Sequence, residues 1–289
     1  MRIVSFRSQG SIRVGLIDGD SVIDVQKANP KLAIDLRSGL HSGLSYLAAL
    51  KAVLQSAGAE TRLPLKGLDL APLIPNPGKI VCLGLNYFDH AMEGGHPPPE
   101  YPAFFLRTAT SLIAAGEPVI RPRVSDKLDY EAELAVIIGK PGRHINKQRA
   151  LEHVAGYSCF NDVSVRDYQR RTTQWTVGKN FDDSGPFGPW LVTPDELPPG
   201  AAGLKIQSRL NGQVMQDSNT SLMMCDVANA IFLLSECMTL DAGDVIVMGT
   251  PAGVGWARKP PVFMKHGDTI EIEIEQIGIL SNPVKDEAG

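Results

Sequence analysis

Asp129-Tyr130-Glu131-Ala132-Glu133-Leu134-Ala135-Val136-Ile137-Ile138 reads as a β-strand that turns wholly apolar toward its C-terminal end. A strand's period of two puts Glu131 and Glu133 on one face and Ala132, Leu134, Val136 and Ile138 on the other. Both carboxylates therefore point the same way. Two ionised carboxylates about 6 Å apart, at an effective dielectric of about 20, repel by about 3 kcal/mol, which a low-dielectric site tolerates only with a compensating cation. An edge strand with its acidic face in water shows the same alternation, so E-x-E alone leaves both readings open.

Working outward, Asp162 adds a third acid after the short run Gly156-Tyr157-Ser158-Cys159-Phe160, although by itself it could equally cap a helix. Three oxygen ligands without Cys or His suit hard cations such as Mg²⁺, Mn²⁺ or Ca²⁺ far better than Zn²⁺. Upstream, in Gly84-Leu85-Asn86-Tyr87-Phe88-Asp89-His90-Ala91-Met92-Glu93, His90 and Glu93 are neighbours at i and i+3 of one helical turn. A carboxylate bonded to an imidazole fixes its tautomer and raises its basicity, which makes the two a candidate acid/base pair. A surface histidine beside a turn is the bland alternative. Gly94, Gly95, Pro97, Pro98 and Pro99 mark a flexible, then stiff, loop of the kind a lid needs. Downstream, Lys179 is a lone cation among apolar and small residues that could stabilise an anionic intermediate. Gly249-Thr250-Pro251-Ala252-Gly253-Val254-Gly255 follows an apolar strand and could offer amides and a hydroxyl to a carboxylate; it lacks the GK[ST] of a nucleotide P-loop. His41, His96, His144, His153 and His266 have no metal-like spacing and are expected to be structural or exposed.

With 289 residues, 43% hydrophobic and 21% charged, the chain can bury a sizeable interior, and one large domain with a smaller appendage is expected. Its net charge of −4 is spread along the chain, which argues against nucleic-acid and anionic-membrane surfaces and leaves a small molecule as the expected partner. Arg2, Arg7 and Arg13 interrupt the N-terminus, so no secretory signal is expected there, and no apolar run reaches membrane-spanning length. Cys82, Cys159, Cys225 and Cys237 lie far apart, without C-x-x-C pairs, and are expected to be buried thiols in a reducing cytoplasm.

Short β-favouring runs at 2–6, 12–17 and 21–25, with a turn at Asp18-Gly19, predict a small N-terminal sheet. Leu44, Leu47, Ala48, Leu50 and Leu54 recur at helical spacing, with Gly58 as a stop. Pro64, Pro72, Pro75 and Pro77 then punctuate a connector, and a boundary near residue 75 separates a small domain, 1–75, from a larger one, 76–289. Beyond it, strands are predicted at 79–84, 103–106, 133–138, 204–210, 244–248 and 269–274. Helices are predicted at 147–154 and 225–237, with Asn146 and Ser221 as caps.

Five motifs now stand in order: N-Y-x-x-H-x-x-E from Asn86, D-Y-E-x-E-L from Asp129, N-D-x-x-x-R-D-x-Q from Asn161, G-K-x-F-D from Gly178, and G-T-P-x-G-V-G from Gly249. Together they resemble the fumarylacetoacetate hydrolase superfamily from about residue 78 onward, and the N-terminal region resembles the small domain that precedes the catalytic one. The resemblance implies an α+β, mostly β fold: a mixed β-roll catalytic domain with a small N-terminal α+β domain, commonly paired as a homodimer. It implies Glu131, Glu133 and Asp162 as ligands of Mg²⁺ or Mn²⁺, His90 with Glu93 as the water-activating or proton-moving dyad, and Lys179 facing a developing oxyanion. Arg166, Gln169 and Thr250 fall on substrate-contacting positions. Leu85 stands where many relatives have Arg, and Arg107-Thr108 where many have Lys-Pro. The reaction implied is hydrolysis of a carbon–carbon bond in an acylpyruvate through an enolate at the metal. Decarboxylation or keto–enol isomerisation of a related 2-oxo diacid is the nearer alternative, and an idle dicarboxylate-binding member the more distant one.

Overall fold

The computed structural model describes residues 1–289 apart from His96 and Pro98, so part of the expected lid and one of the histidines lie outside the described residues. Residues 1–75 form strands β1 (Arg2–Ser8), β2 (Ser11–Asp18) and β3 (Ser21–Asp24), helices α1 (Val25–Ala28), α2 (Leu36–His41) and α3 (Ser45–Ser56), and short strands β4 (Arg62–Pro64) and β5 (Leu70–Ala71). There follow β6 (Ile80–Gly84), α4 (Phe88–Glu93), β7 (Ala103–Arg107), the short β8 (Leu112–Ile113), β9 (Val119–Arg121) and β10 (Leu128–Asp129), then β11 (Ala132–Ile138) and β12 (Val154–Asn161). Next come β13 (Ser164–Val165), α5 (Arg166–Gln169), α6 (Thr176–Lys179), β14 (Gly185–Val192), β15 (Lys205–Leu210) and β16 (Gln213–Asn219). The chain finishes with α7 (Val227–Cys237), β17 (Val245–Val247), β18 (Thr269–Ile274) and β19 (Gly278–Asp286).

The large sheet runs β4-β3-β2-β1-β14-β12-β11-β17-β6-β7, with β5 joined to β1 and β8 to β14; a second sheet runs β16-β15-β18-β19-β9. The β1–β14 pairing carries hydrogen bonding across the expected boundary near residue 75. β11 is central rather than an edge, flanked by β12 and β17, and is buried along its whole length. Its alternation holds nonetheless. Ala132, Leu134, Val136 and Ile138 enter the core shared with the second sheet and α7, while Ala135 and Ile137 enter a core shared with the N-terminal strands and helices. β11 is covered on both faces and Glu133 is buried, so the reading of an edge strand with its acidic face in bulk water is excluded.

Register positions the site. β11 is antiparallel to both β12 and β17, and β6 is parallel to β17, so the start of β11 meets the ends of the other three. Ala132 pairs with Asn161, which sets Glu131 opposite Asp162, where the Asp162 amide donates to the Glu131 carbonyl at 3.0 Å. Ala135 pairs with Val247, which sets Glu133 opposite Gly249.

Several local expectations change. Val25 begins α1, because the Asp24 carboxylate accepts from the amides of Gln26 and Lys27 and stops β3. Residues Lys147–His153 form 3₁₀ turns capped by Asn146, as expected of the cap but not of the helix type, and Val154 already opens β12. Helix α7 is capped by Asp226, while Ser221 lies in a separate 3₁₀ turn. Cys82, Cys159 and Cys225 are buried thiols, but Cys237, at the end of α7, is exposed.

Candidate active site

Glu131, Glu133 and Asp162 present carboxylate oxygens that all lie within 4.8 Å of one another, and all three side chains are buried. The E-x-E pair therefore does converge with the third acid, although Glu131 sits one residue before β11 rather than inside it. Its amide donates to the Asn161 side chain at 3.0 Å, which continues the ladder past the end of the strand.

Three buried cations interleave with these acids. Lys179 Nζ donates to Glu131 Oε2 at 2.7 Å and to Asp162 Oδ2 at 2.6 Å; Arg107 Nη1 donates to Asp162 Oδ1 at 2.6 Å. Arg166 reaches Glu131 Oε1 through Nη1 at 2.7 Å and Asp129 Oδ2 through Nε at 2.8 Å. With Asp129, four buried carboxylates face three buried cations. Among the described residues, Glu133 is the one of these four carboxylates without a cation in contact, and the Gly249 amide, 2.5 Å from Oε2, is its bonded donor. Burial and the charges of Asp162 and Glu131 push the Glu133 carboxyl well above the usual carboxylate range. For Glu131 burial acts in the same direction, but the Lys179 and Arg166 charges outweigh it and hold the carboxyl well below that range. Burial disfavours the charged Lys179, yet the Asp162 and Glu131 charges outweigh that and keep its ammonium protonated. The donor set, all oxygen with one carboxylate lacking a positive neighbour, fits a hard divalent ion. Adding two positive charges turns the buried balance from net negative to net positive, the state in which an anionic substrate is welcome.

The loop after β6 brings in the dyad. Asn86 anchors it: its Nδ2 donates to the carbonyls of Met248, at 2.7 Å, and Cys225, at 3.0 Å, and its Oδ1 accepts from the Cys225 amide at 2.7 Å. Helix α4 then sets His90 Nδ1 2.9 Å from Glu93 Oε1, and Glu93 Oε2 accepts from the Gly253 amide at 2.9 Å. Both carboxylate oxygens of Glu93 are thus committed, the imidazole is held by Nδ1, and Nε2 is the ring nitrogen left for a proton.

Gly249 and Gly178 are needed for close approach. A Cβ on Gly249, whose φ is +87°, would lie 2.7 Å from the Asn86 Cβ, and one on Gly178 would lie 2.3 Å from the Gln169 backbone nitrogen. The second contact lets α6 lie against α5, so that Lys179, Arg166 and Gln169 share one wall; Gln169 Oε1 accepts from Arg166 Nη1 at 2.9 Å. Thr250 has both hydroxyl functions in use, donating to the Ala132 carbonyl at 3.0 Å and accepting from Gln216 Nε2 at 2.7 Å.

A cavity of about 480 Å³ opens onto this constellation, and every sequence-predicted site residue except Glu93 and Asp162 lines it. Glu93 braces His90 from behind, and the wholly buried Asp162 braces Lys179 and Arg107. Arg166 Nη2 is buried with no hydrogen-bond partner among the described residues. Sequence reading gave no role to Arg107, Asp129 or Gln216. Asp129 accepts from the amides of Gly255, at 2.8 Å, and Trp256, at 3.0 Å, besides Arg166; its only sequence signal was its place beside the E-x-E. Gln216 comes from the second sheet, and no spacing in the chain connects it with the site.

The mixed α/β fold and an acidic cluster whose oxygens could hold a divalent ion define the class to look for, and comparison with known proteins supplies the family. The model of the fumarylacetoacetate hydrolase C-terminal region matches residues 79–285, and the chain belongs to that family. An oxaloacetate tautomerase of Xenopus laevis, described as mitochondrial, is 41% identical over 98% of this chain and 90% of its own length; a human one is 39% identical over 98% and 91%. Among solved structures, the fumarylacetoacetate hydrolase of Exiguobacterium antarcticum matches with a TM-score of 0.86 and 35% identity, covering 99% of this chain and 100% of that one. A maleylpyruvate hydrolase from a Sphingobium species, in complex with manganese(II) and pyruvate, matches with a TM-score of 0.82 and 29% identity, each chain covered in full. No helix is long and apolar enough to cross a membrane.

Proposed function

We propose that this protein catalyses keto–enol tautomerisation of a short 2-oxo dicarboxylate of the oxaloacetate type, with a divalent ion, Mg²⁺ or Mn²⁺, held by Glu131, Glu133 and Asp162. The observation that carries the reading is the braced His90–Glu93 pair lining the same cavity as the acidic cluster. Relatives 39–41% identical over nearly the whole chain are named oxaloacetate tautomerases, which supports tautomerisation over the other reactions such a site can serve. A bound dication supplies Lewis-acid polarisation of the 2-oxo group. In the enol-to-keto direction the C2 hydroxyl gives up a proton and C3 takes one. His90, through Nε2, is placed to move that proton, and Glu93 holds the tautomer and stabilises the imidazolium. Arg166 Nη2, unpartnered and buried, is a donor for the substrate's 1-carboxylate. Lys179 donates to two of the three carboxylates and holds them in place.

Hydrolysis of an acylpyruvate is the second reading, supported by the fold match to the maleylpyruvate hydrolase. The two separate in one assay series. With Mg²⁺ or Mn²⁺, the protein is expected to accelerate the decay of oxaloacetate enol absorbance and to put no solvent ¹⁸O into a new carboxylate when given acylpyruvates. Pyruvate release with label uptake, and no effect on the enol, would sink tautomerisation in favour of hydrolysis. Substitution His90→Ala is expected to lower kcat by about 10²–10⁴.

A homodimer belongs to the same proposal. Strand β7 ends the large sheet with no outer neighbour among the described residues, and Phe88, Met92, Tyr101 and Leu106, on α4 and around β7, are each more than half exposed. An edge of this kind calls for a cover.

A further inference from the structure

We propose that Arg170, stacked on Trp256, is the specificity-determining residue of this site, receiving the second carboxylate of a 2-oxo dicarboxylate whose other end is held deeper in the cavity. The inference rests on the reading of the site as a 2-oxo acid site. Arg170 closes α5, its amide donating to the Arg166 carbonyl at 3.2 Å, so the two side chains spring from positions i and i+4, on one face and about 6 Å apart along the axis. Arg166 is the buried member, bound to Asp129 and Glu131, whereas Arg170 is exposed and lines the same cavity. Its Cζ lies 3.5 Å from the Trp256 ring centroid. The Trp256 backbone is anchored by its amide on Asp129, the carboxylate that also holds Arg166. One acid therefore ties together Arg166 and the residue on which Arg170 stacks.

Stacking uses the face of a guanidinium and leaves its in-plane N–H edge free for a planar carboxylate. Among the described residues, Arg170 is the one arginine or lysine lining the cavity that has no carboxylate partner. Lys179 and Arg166 both have theirs. Partial desolvation in the cavity mouth and the nearby Arg166 charge both work against the Arg170 cation, so an anion lodged between the two is stabilised. Thr172 and Thr173, on the same wall, add hydroxyls, and Trp175 and Leu85 add apolar surface. A substrate with a second carboxylate one short chain away from the first matches this pair; a monoacid leaves Arg170 unused.

The test compares the magnesium-loaded wild type with Arg170→Gln and Arg170→Lys, using two nonreactive ligands in calorimetry, malate and 2-hydroxybutanoate, which differ by the second carboxylate. The wild type is expected to bind malate at least about tenfold more tightly, as one charge-assisted pair allows. Arg170→Gln is expected to erase that preference while holding 2-hydroxybutanoate within twofold, and Arg170→Lys to retain part of it. In turnover, KM for oxaloacetate is expected to rise about tenfold in Arg170→Gln with kcat within threefold. A wild type without preference for malate, or a preference that survives in Arg170→Gln, would overturn the assignment and leave Arg170 a surface stacking residue. Tautomerase activity without that preference defeats this inference alone. A preference that depends on Arg170, in a protein that does not tautomerise oxaloacetate, defeats the functional reading alone.

Discussion

Lys179 stands 2.7 Å from Glu131 and 2.6 Å from Asp162, between two of the carboxylates proposed to hold the metal. From sequence it was a lone cation whose value lay in facing an oxyanion. The structure adds that it neutralises two of the acids directly, and this has a measurable consequence. Removing one member of a buried ionic network strands the others at a cost of about 3–5 kcal/mol. Lys179→Met is therefore expected to lose at least about 3 kcal/mol in urea denaturation of the chelator-treated protein, and to regain part of it at saturating Mg²⁺, because an ion that binds only the folded state stabilises it. Equal stability of variant and wild type without metal would remove Lys179 from this role. Arg107 illustrates what a sequence hides: it reads only as a replacement for the commoner Lys-Pro, yet its Nη1 grips Asp162 and its Nη2 donates to Ser184 at 2.8 Å.

Among the elements, those whose pattern is local were readable. Strands β1, β2, β6, β7, β11, β15 and β18 and helix α3 fall where alternation and helical spacing put them, within a residue or two at each end. Strands β12 and β14 did not read as strands. β14, Gly185-Pro186-Phe187-Gly188-Pro189-Trp190-Leu191-Val192, carries two glycines and two prolines, the residues that mark turns. It holds its place because neighbours supply what its sequence lacks: β12 pairs along it, and the Ser158 hydroxyl is 2.9 Å from the carbonyls of both Gly188 and Trp190. The α5–α6 pair makes the element-scale prediction. In Gly178→Ala the added methyl meets the Gln169 backbone, which cannot yield as a side-chain end would. A loss of about 1–3 kcal/mol in stability is expected from overpacking. A fall in kcat/KM of at least tenfold should accompany it, since Lys179 and Gln169 must move apart. Unchanged kinetics would show that the packing of these helices does not set the site.

For the whole molecule, one end of the large sheet gathers the starts and ends of four strands, and chemistry is concentrated there because opposed strand directions bring those termini together. Chelation is expected to abolish turnover, and Mg²⁺ or Mn²⁺ to restore it and raise the melting temperature; full activity after chelation would exclude the acidic cluster as a metal centre. At the opposite scale of contact, Leu106→Lys on the exposed edge β7 is expected to convert a dimer to a monomer in sedimentation velocity with the monomer still folded. A wild-type monomer would refute the pairing itself.

The groups proposed to react were legible in the chain: the E-x-E, the third acid, the His/Glu pair and the lysine are residue types able to ligate a metal or move a proton, and their order carried the family resemblance. Which charges neutralise which, that β11 is central and dry, and that Gln216 from another sheet and Asp129 brace the site were settled only by folding. Those are relations between residues 17 to 127 positions apart, created by strand register and sheet order, and no local pattern of hydrophobicity or spacing encodes them.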